Sequence, residues 1–357
     1  MKFLKTISLA LFIISLFGLF CRFTQIHQAS VSDAVHYDTS ASSVEIVNHI
    51  SGTPELEGNE TNSPSTVSPN DPFLSEQWAL NRIRAREIWP MTTGHPNIFV
   101  AVLDTGIDKK HDDLDDQIVA EVDFTDSTSA DDLYGHGTHV AGIIAARSNN
   151  GLGITGLAPM SRLMNVKIAD DKGKCCISSI ADGIIWAVDN GAGVINVSIR
   201  LTDAMPRLEE AVDYAWNNGA IVVAAAGNDG SIKPMYPASY KNCIAVTAVR
   251  EDGSLSPLSN YGNWIDVAAP GFNIYSTIPG NSYDYKTGTS FATAYTSGLA
   301  ALLFDVVADM NNDGKLNDDV RTAIEAGCQY TGTDGLGRGI IDAAGSIAVI
   351  KSNLPQD

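Results

Sequence analysis

Apolar residues along this chain fall into two alternating patterns. Continuous apolar runs occupy 97–103 (Asn97-Ile-Phe-Val-Ala-Val-Leu103), 162–168, 193–198 and 220–226, as in strands covered on both faces. Between them the apolar positions take helical spacing: 136–147, 177–190 through Ile180, Ile184, Ile185 and Val188, and 204–218 through Leu208, Ala211, Val212 and Ala215. Shorter strand patterns follow at 244–249, 264–268 and 274–278. Strands alternating with helices predict an α/β, three-layer fold, a mostly parallel sheet with helices on both faces. One stretch, Phe291–Phe304, is apolar on most of its faces and predicts a buried helix. It starts at Ser290, after the turn Thr287-Gly-Thr. Ser290 then stands at a helix N-terminus, where unpaired N–H groups and the positive dipole end can hold an anion. A lone serine at such a position is more often an ordinary N-cap.

The pattern breaks toward the N-terminus. Lys2 and Lys5 precede Ile7–Phe20, an uncharged run of 14 residues. That length suits a signal-peptide core better than a membrane span, with an uncleaved anchor as the alternative. Residues 1–23 are therefore expected to be a signal peptide or membrane anchor and the rest to work outside the cytoplasm, secreted or at the cell surface. Ser, Thr, Pro, Asn and Glu crowd 51–70, too little apolar area to order itself, so 24–70 reads as a prosegment or linker. The globular part is expected over 71–357.

Lys+Arg 23 against Asp+Glu 42 gives a net charge of −19, which argues against nucleic acid as a partner and leaves carboxylates for cations. The 5 cysteines have no C-x-x-C spacing and predict buried thiols with at most one disulfide.

In parallel sheets, function gathers at the carboxyl ends of strands. Asp104 follows the run 97–103. Gly135-His136-Gly-Thr-His139 opens the helical pattern at 136, and Gly227-Asn228 closes the run 220–226. His136 and His139 have no third donor nearby for zinc, so His139 is expected to pack in the core. The remaining set is a carboxylate, an imidazole, a hydroxyl and an amide. Acyl transfer needs such a set: a hydroxyl nucleophile, a base held in one tautomer by a carboxylate, and donors for the oxyanion. The order Asp104, His136, Ser290 is the order found in subtilisin.

Four ordered stretches carry a family resemblance: Val102-Leu-Asp-Thr-Gly-Ile-Asp108, Gly135-His-Gly-Thr-His-Val-Ala-Gly142, Ala224-Ala-Ala-Gly-Asn228 and Gly288-Thr-Ser-Phe-Ala-Thr293. With Asn70-Asp-Pro-Phe73 and Ala268-Ala-Pro-Gly271, the chain over about 71–350 resembles the subtilisin-type serine proteases, closest in pattern to their thermitase group. The resemblance implies Asp104, His136 and Ser290 as catalytic triad, Asn228 as oxyanion donor, and Ser198, Ile199, Arg200 and Gly227 as substrate-binding residues. It also implies structural Ca²⁺ held by Asp71, Asp113, the Asn150 side chain and the carbonyls of Ser148, Leu152 and Ile154. A second, weaker site would use Asp123 and Asp126, with Thr128 where the pattern wants Asp. Some residues depart from the family. Ala294-Tyr295 replace a Pro-His pair, Ile199-Arg200-Leu201 replace Leu-Gly-Gly, and Cys175 replaces a Gly across the groove. The 24–70 segment is shorter than the usual folded propeptide.

A further Ca²⁺ site is legible without the resemblance. Asp309, Asn311, Asp313, Lys315 (through its carbonyl) and Asn317 fall at positions 1, 3, 5, 7 and 9 of an EF-hand-like loop, with Gly314 at position 6. Val320 stands at position 12, so Asp318 or Asp319 must substitute there.

The expected function is thus a secreted, calcium-stabilised, monomeric serine endopeptidase acting on polypeptides. A pseudoprotease that only binds peptides is the main rival. An aspartic protease would need a second Asp-Thr-Gly, which the sequence lacks.

Overall fold

A computed structural model describes residues 68–353. The segment 1–23 and nearly all of 24–70 lie outside the described residues. Two short helices, α1 (Trp78–Arg82) and α2 (Ala85–Ile88), lead into β1 (Phe99–Asp104) and β2 (Ile118–Asp123). Then come α3 (Gly137–Ala145), β3 (Arg162–Lys167), α4 (Ile177–Asp189), β4 (Ala192–Val197), α5 (Pro206–Asn217) and β5 (Ile221–Ala225). Next are β6 (Cys243–Val249), β7 (Val267–Pro270), β8 (Ile274–Ile278), β9 (Ser282–Lys286) and α6 (Thr289–Phe304). Helices α7 (Asn317–Gly327) and α8 (Ala343–Asn353) complete the order.

Seven strands form one sheet in the order β2-β3-β1-β4-β5-β6-β7, with every pair parallel. Helices α4 and α5 cover one face over Leu103, Val166, Ile195 and Val222. Helices α3 and α6 cover the other over Val102, Val194, Val223 and Val246. The three-layer expectation therefore holds. The continuous apolar runs are continuous because both faces of the sheet are covered.

Helix α6 runs through the second layer with every residue from Thr289 to Leu303 buried, as its all-round apolar pattern required. Ala294 and Tyr295 lie inside it, Tyr295 fully enclosed. Strands β2 and β9 were not foreseen. Strand β2 is an edge strand whose burial alternates, with Glu121 and Asp123 breaking the apolar run. Strand β9 is polar, and it pairs only with β8 as an antiparallel hairpin.

No disulfide joins the four described cysteines, Cys175, Cys176, Cys243 and Cys328; Cys243 is buried, whereas Cys176 lies at the surface. No described helix is long and apolar enough to cross a membrane.

Packing of α3 on the hairpin tolerates no side chain at Gly142. A Cβ there would stand 2.2 Å from Thr277 Oγ1 and 2.6 Å from Ser276 Oγ. Those hydroxyls donate to the carbonyls of Thr138 (2.7 Å) and His139 (2.9 Å). Gly142→Ala should therefore overpack a rigid contact and cost ~1–3 kcal/mol despite the better helix propensity of alanine. Equilibrium denaturation checks this, and an unchanged or raised midpoint would contradict it.

Candidate active site

Asp104 is the last residue of β1, with its side chain only 2% exposed. Its Oδ1 accepts from the Thr105 N–H at 2.8 Å and lies 2.7 Å from His136 Nδ1. His136 immediately precedes α3. That contact needs α3 to start very close to β1: a Cβ on Gly137 would fall 2.1 Å from the Gly106 carbonyl and 3.0 Å from Asp104 Cβ. Glycine at 137 is what lets the helix approach.

The start of α3 carries no cap from His136 itself. Asp132 does this work from four residues upstream. Its Oδ1 accepts from Thr105 Oγ1 (2.8 Å), Tyr134 N–H (3.0 Å) and Gly135 N–H (2.7 Å), and its Oδ2 from Thr138 N–H (2.9 Å) and Oγ1 (2.7 Å). Thr105 Oγ1 in turn accepts from Gly137 N–H at 3.0 Å. The orphan donors of the helix start are thereby satisfied by a buried carboxylate, which the dipole also favours. Sequence reasoning missed Asp132. Its one signal was an acidic residue just before a Gly-rich helix start.

His139 packs in the core as expected. Its Nε2 donates toward the carbonyls of Ile274 and Asp284, both at 3.1 Å, and its ring lies 4.4 Å from Phe291. Burial, with the charge of Lys286, pushes it down to about 3, so it stays neutral.

Ser290 is the second residue of α6, is buried, and follows Gly288-Thr289. Its neighbour Phe291 packs its ring 5.6 Å from that of His136. Ser290 Oγ makes no direct hydrogen bond to His136 among the described residues. Such bonds are often long before substrate arrives. Asn228, just past β5, is oriented by Thr289. Its Oδ1 accepts from Thr289 N–H (2.9 Å) and Oγ1 (3.1 Å), while Thr289 Oγ1 accepts from Gly227 N–H (3.1 Å). With its oxygen so engaged, the Asn228 Nδ2 is left to donate elsewhere. Thr289 was missed as a functional residue because it reads as a spacer.

Ser198 and Ile199 follow β4, and Ser198 Oγ accepts from Asn196 Nδ2 at 3.0 Å. Arg200 lies across Gly227, where a Cβ would meet Arg200 Cδ at 2.7 Å. Its guanidinium bonds Asp229 at 2.7 Å. Cys175 bridges to Ala169, and burial pushes its thiol up to about 12, leaving it unreactive.

The first predicted calcium loop assembles. Asp113 is fully buried: its Oδ1 accepts from Asn150 Nδ2 (2.8 Å), its Oδ2 from Ile154 N–H (2.8 Å) and Tyr283 Oη (3.0 Å). Asp71, also buried, accepts from the Asn149 and Asn150 N–H groups at 3.1 and 3.3 Å. Burial raises the pKa of both, and the charge of Asp113 raises that of Asp71 further. No lysine or arginine pairs with either carboxylate among the described residues. The carbonyls of Ser148, Leu152 and Ile154 accept no hydrogen bond there. Two buried carboxylates with no cationic side chain beside them have the chemistry that suits a hard cation. Asn150, however, turns its amide nitrogen to Asp113 and its Oδ1 to the Leu152 N–H (2.8 Å), so its oxygen does not face the carboxylates as expected.

At the weaker site the residues are otherwise occupied. Asp123 Oδ1 accepts from Thr125 N–H and Oγ1, both at 2.7 Å, and Asp126 is exposed.

The loop at 309–319 folds in part as predicted. Asp309 accepts from Asp313 and Gly314 N–H, Asn311 Oδ1 from Asp313 N–H (2.9 Å), and Asp313 from Lys315 N–H (2.9 Å). Asn317 is a correction. It is buried and donates to the Trp216 carbonyl at 3.0 Å, so it faces the turn after α5 rather than the loop. Asp319 points in instead, its pKa raised by burial and then by Asp318, Asp309 and Asp313. Among the described residues no group of three or more His, Cys, Asp and Glu is close enough to hold a metal alone. Backbone and amide oxygens would have to share either site.

Residues 95–335 match the model of the subtilase family of peptidases. The chain belongs to the subtilase family. It is 46% identical over 260 residues to a thermophilic serine proteinase of Bacillus sp. (strain AK1), covering 72% of this chain and 63% of that protein, so just under two thirds of that relative is spanned. It is 42% identical to thermitase of Thermoactinomyces vulgaris, covering 72% of this chain and 90% of that one. Among solved structures, a protease from Pseudoalteromonas arctica superposes with a TM-score of 0.71 at 30% identity, covering 80% of this chain and all of the other. Subtilases are serine endopeptidases, and the seven-stranded parallel sheet agrees with their fold.

For His136, burial works against the imidazolium, but the charge and hydrogen bond of Asp104, with Asp132, outweigh it, and the pKa is raised. The imidazolium's contribution to stability is then complete below the unfolded value of ~6.5 and is lost as pH rises through the folded value. An NMR titration should place His136 above 6.5. Asp104→Asn should bring it below that of the unmodified protein, and equal values in both would contradict the coupling.

Proposed function

We propose that this subtilase is a secreted endopeptidase that cleaves polypeptides through Asp104, His136, Ser290 and Asn228, and that it is stabilised by calcium. The observation that carries the reading is the conjunction of three elements. The Asp104–His136 pair closes the gap between β1 and α3, Ser290 opens a buried helix beside it, and Asn228 is turned by Thr289 toward the same edge.

In this reading Ser290 Oγ attacks the scissile carbonyl as its proton passes to His136 Nε2. Asp104 holds Nδ1–H, fixing the tautomer and stabilising the imidazolium. The carbonyl oxygen becomes an oxyanion, which takes hydrogen bonds from Asn228 Nδ2 and the Ser290 N–H at the positive end of α6. Collapse of the tetrahedral intermediate breaks the C–N bond, and His136 returns its proton to the leaving amine. Water then repeats the sequence on the acyl-enzyme.

Ser198, Ile199, Arg200 and Gly227 would border the peptide on the acyl side. Arg200 covers Gly227 and spends its charge on Asp229, so bulk rather than charge restricts that side. Arg200→Gly should accordingly broaden the range of residues accepted before the scissile bond, as read by mass spectrometry on a peptide library. An unchanged cleavage profile would contradict this.

Export rests on the sequence pattern of 1–23, and the chain is expected to act as a monomer outside the cytoplasm. The 24–70 segment is proposed to be removed or to serve as a linker before the catalytic unit.

Ser290→Ala should abolish peptide hydrolysis. Asn228→Ala should lower kcat on the order of 10²–10³, a magnitude established for subtilisin's own oxyanion asparagine rather than derived from this geometry. Full turnover in Ser290→Ala would overturn the assignment.

Calcium would be held by Asp71, Asp113, Asn150 and the carbonyls of Ser148, Leu152 and Ile154. A weaker ion would sit with Asp309, Asn311, Asp313, Asp319 and the Lys315 carbonyl. Its role is to balance buried carboxylates, and no chemical step passes through it. Binding to the folded state alone raises Tm by mass action. Chelation should therefore lower Tm, Asp113→Asn should remove most of that response, and Asp313→Ala a smaller part. Equal calorimetric shifts with and without chelator in both variants would leave the two loops as plain turns.

A further inference from the structure

Lys286 ends β9, four residues before Ser290, and is half-buried in a chain of net charge −19. Its Nζ donates to the Gly135 carbonyl at 2.6 Å, directly before His136. A Cβ on Gly135 would meet Pro279 Cδ at 3.1 Å and Lys286 Nζ at 3.8 Å, so the tip and end of the β8–β9 hairpin flank the His136 turn.

An ammonium carries three donors, and Gly135 takes one. The carboxylates nearest in charge are Asp132, Asp104 and Asp284. None forms an ion pair with Lys286 among the described residues. Asp132 is saturated by five donors; Asp104 Oδ1 takes Thr105 and His136, while its buried Oδ2 accepts from no group, Lys286 included. Asp284 Oδ1 accepts from Tyr285 N–H at 2.7 Å. Arg200, on the other side of the nucleophile, is already neutralised by Asp229. Lys286 is thus a half-buried cation beside the catalytic pair, with one Nζ donor on the Gly135 carbonyl and no ion pair to a carboxylate among the described residues.

The side it stands on follows from the chemistry of the proposed reaction, on which this inference rests. The oxyanion must face Asn228, and the leaving amine must face the group that protonates it, His136. The leaving half of the substrate therefore crosses the His136 side of Ser290, where Lys286 sits, and the acyl half runs toward Gly227 and Arg200.

We infer that Lys286 is a specificity-determining residue that receives a carboxylate from the leaving half of the substrate, favouring an acidic residue directly after the scissile bond. Elsewhere the protein's negative field repels acidic peptides, so the preference is local to this position. It should weaken as salt screens the charge.

The test uses internally quenched peptides that differ only in the residue after the cleaved bond: Glu, Gln or Lys. Active enzyme is counted by fluorophosphonate titration, so the readout is a ratio within each protein. The wild type should prefer Glu over Lys by about tenfold in kcat/KM, the scale of one charge-assisted hydrogen bond. Lys286→Met should erase the ratio, Lys286→Glu should invert it, and high salt should shrink it in the wild type. Equal rates on the three peptides by fluorophosphonate-reactive enzyme would overturn this inference and leave the protease reading standing. A preference that persists in Lys286→Met would also overturn it. Absence of both cleavage and labelling would overturn the protease reading itself, and this inference with it.

Discussion

Parallel pairing is the constraint on which the rest depends. Because all seven strands of the main sheet run the same way, every carboxyl end meets the same edge. Asp104 at the end of β1 and Asn228 just past β5 are far apart in sequence, and the sheet brings both to that edge with only β4 between their strands. The two helices of the second layer then bring His136 and Ser290 to that edge by their N-termini, the ends that favour anions. Helix α3 could not come so close to β1 with a larger residue at Gly137, nor to the β8–β9 hairpin with one at Gly142. The chemistry is thus assembled by the sheet and adjusted by the start of α3.

A second level of organisation is polar and buried. Asp132 ties the turn before His136 to Thr105 beyond β1, so base and carboxylate share one hydrogen-bonded frame. Lys167 adds to it. It is completely buried at the end of β3, donates to the carbonyls of Thr105 (2.5 Å) and Asp131 (3.1 Å), and pairs with Asp171 at 2.9 Å. Thr289 plays the corresponding part for Asn228. Such networks hold rotamers within the tolerance that acyl transfer needs, because each member leaves a buried donor or acceptor unpaired if it moves.

Much of this was legible in the sequence. The buried runs, the helical periods and the four motif stretches placed the sheet, its covering helices and the four central residues. What was not legible has physical causes. Strand β2 lies at an edge and β9 in a polar hairpin, so neither carries a continuous apolar run. Asp132, Thr289 and Lys286 act through partners distant in sequence, which spacing does not reveal. Asn317 kept the right position in a calcium-loop pattern, but its buried amide donates to the Trp216 carbonyl in the last turn of α5, a partner distant in sequence. The Arg200–Asp229 pair likewise joins two segments that read as separate walls, and it turns an apparent surface charge into a neutral block.

The central claim is that Ser290 is the nucleophile activated by His136 and Asp104. Peptide mapping of the protein after reaction with a fluorophosphonate tests it most directly. The account predicts a single adduct on Ser290, formed much more slowly in His136→Ala and in Asp104→Ala. An adduct on another serine, or equal rates of modification in all three proteins, would contradict it.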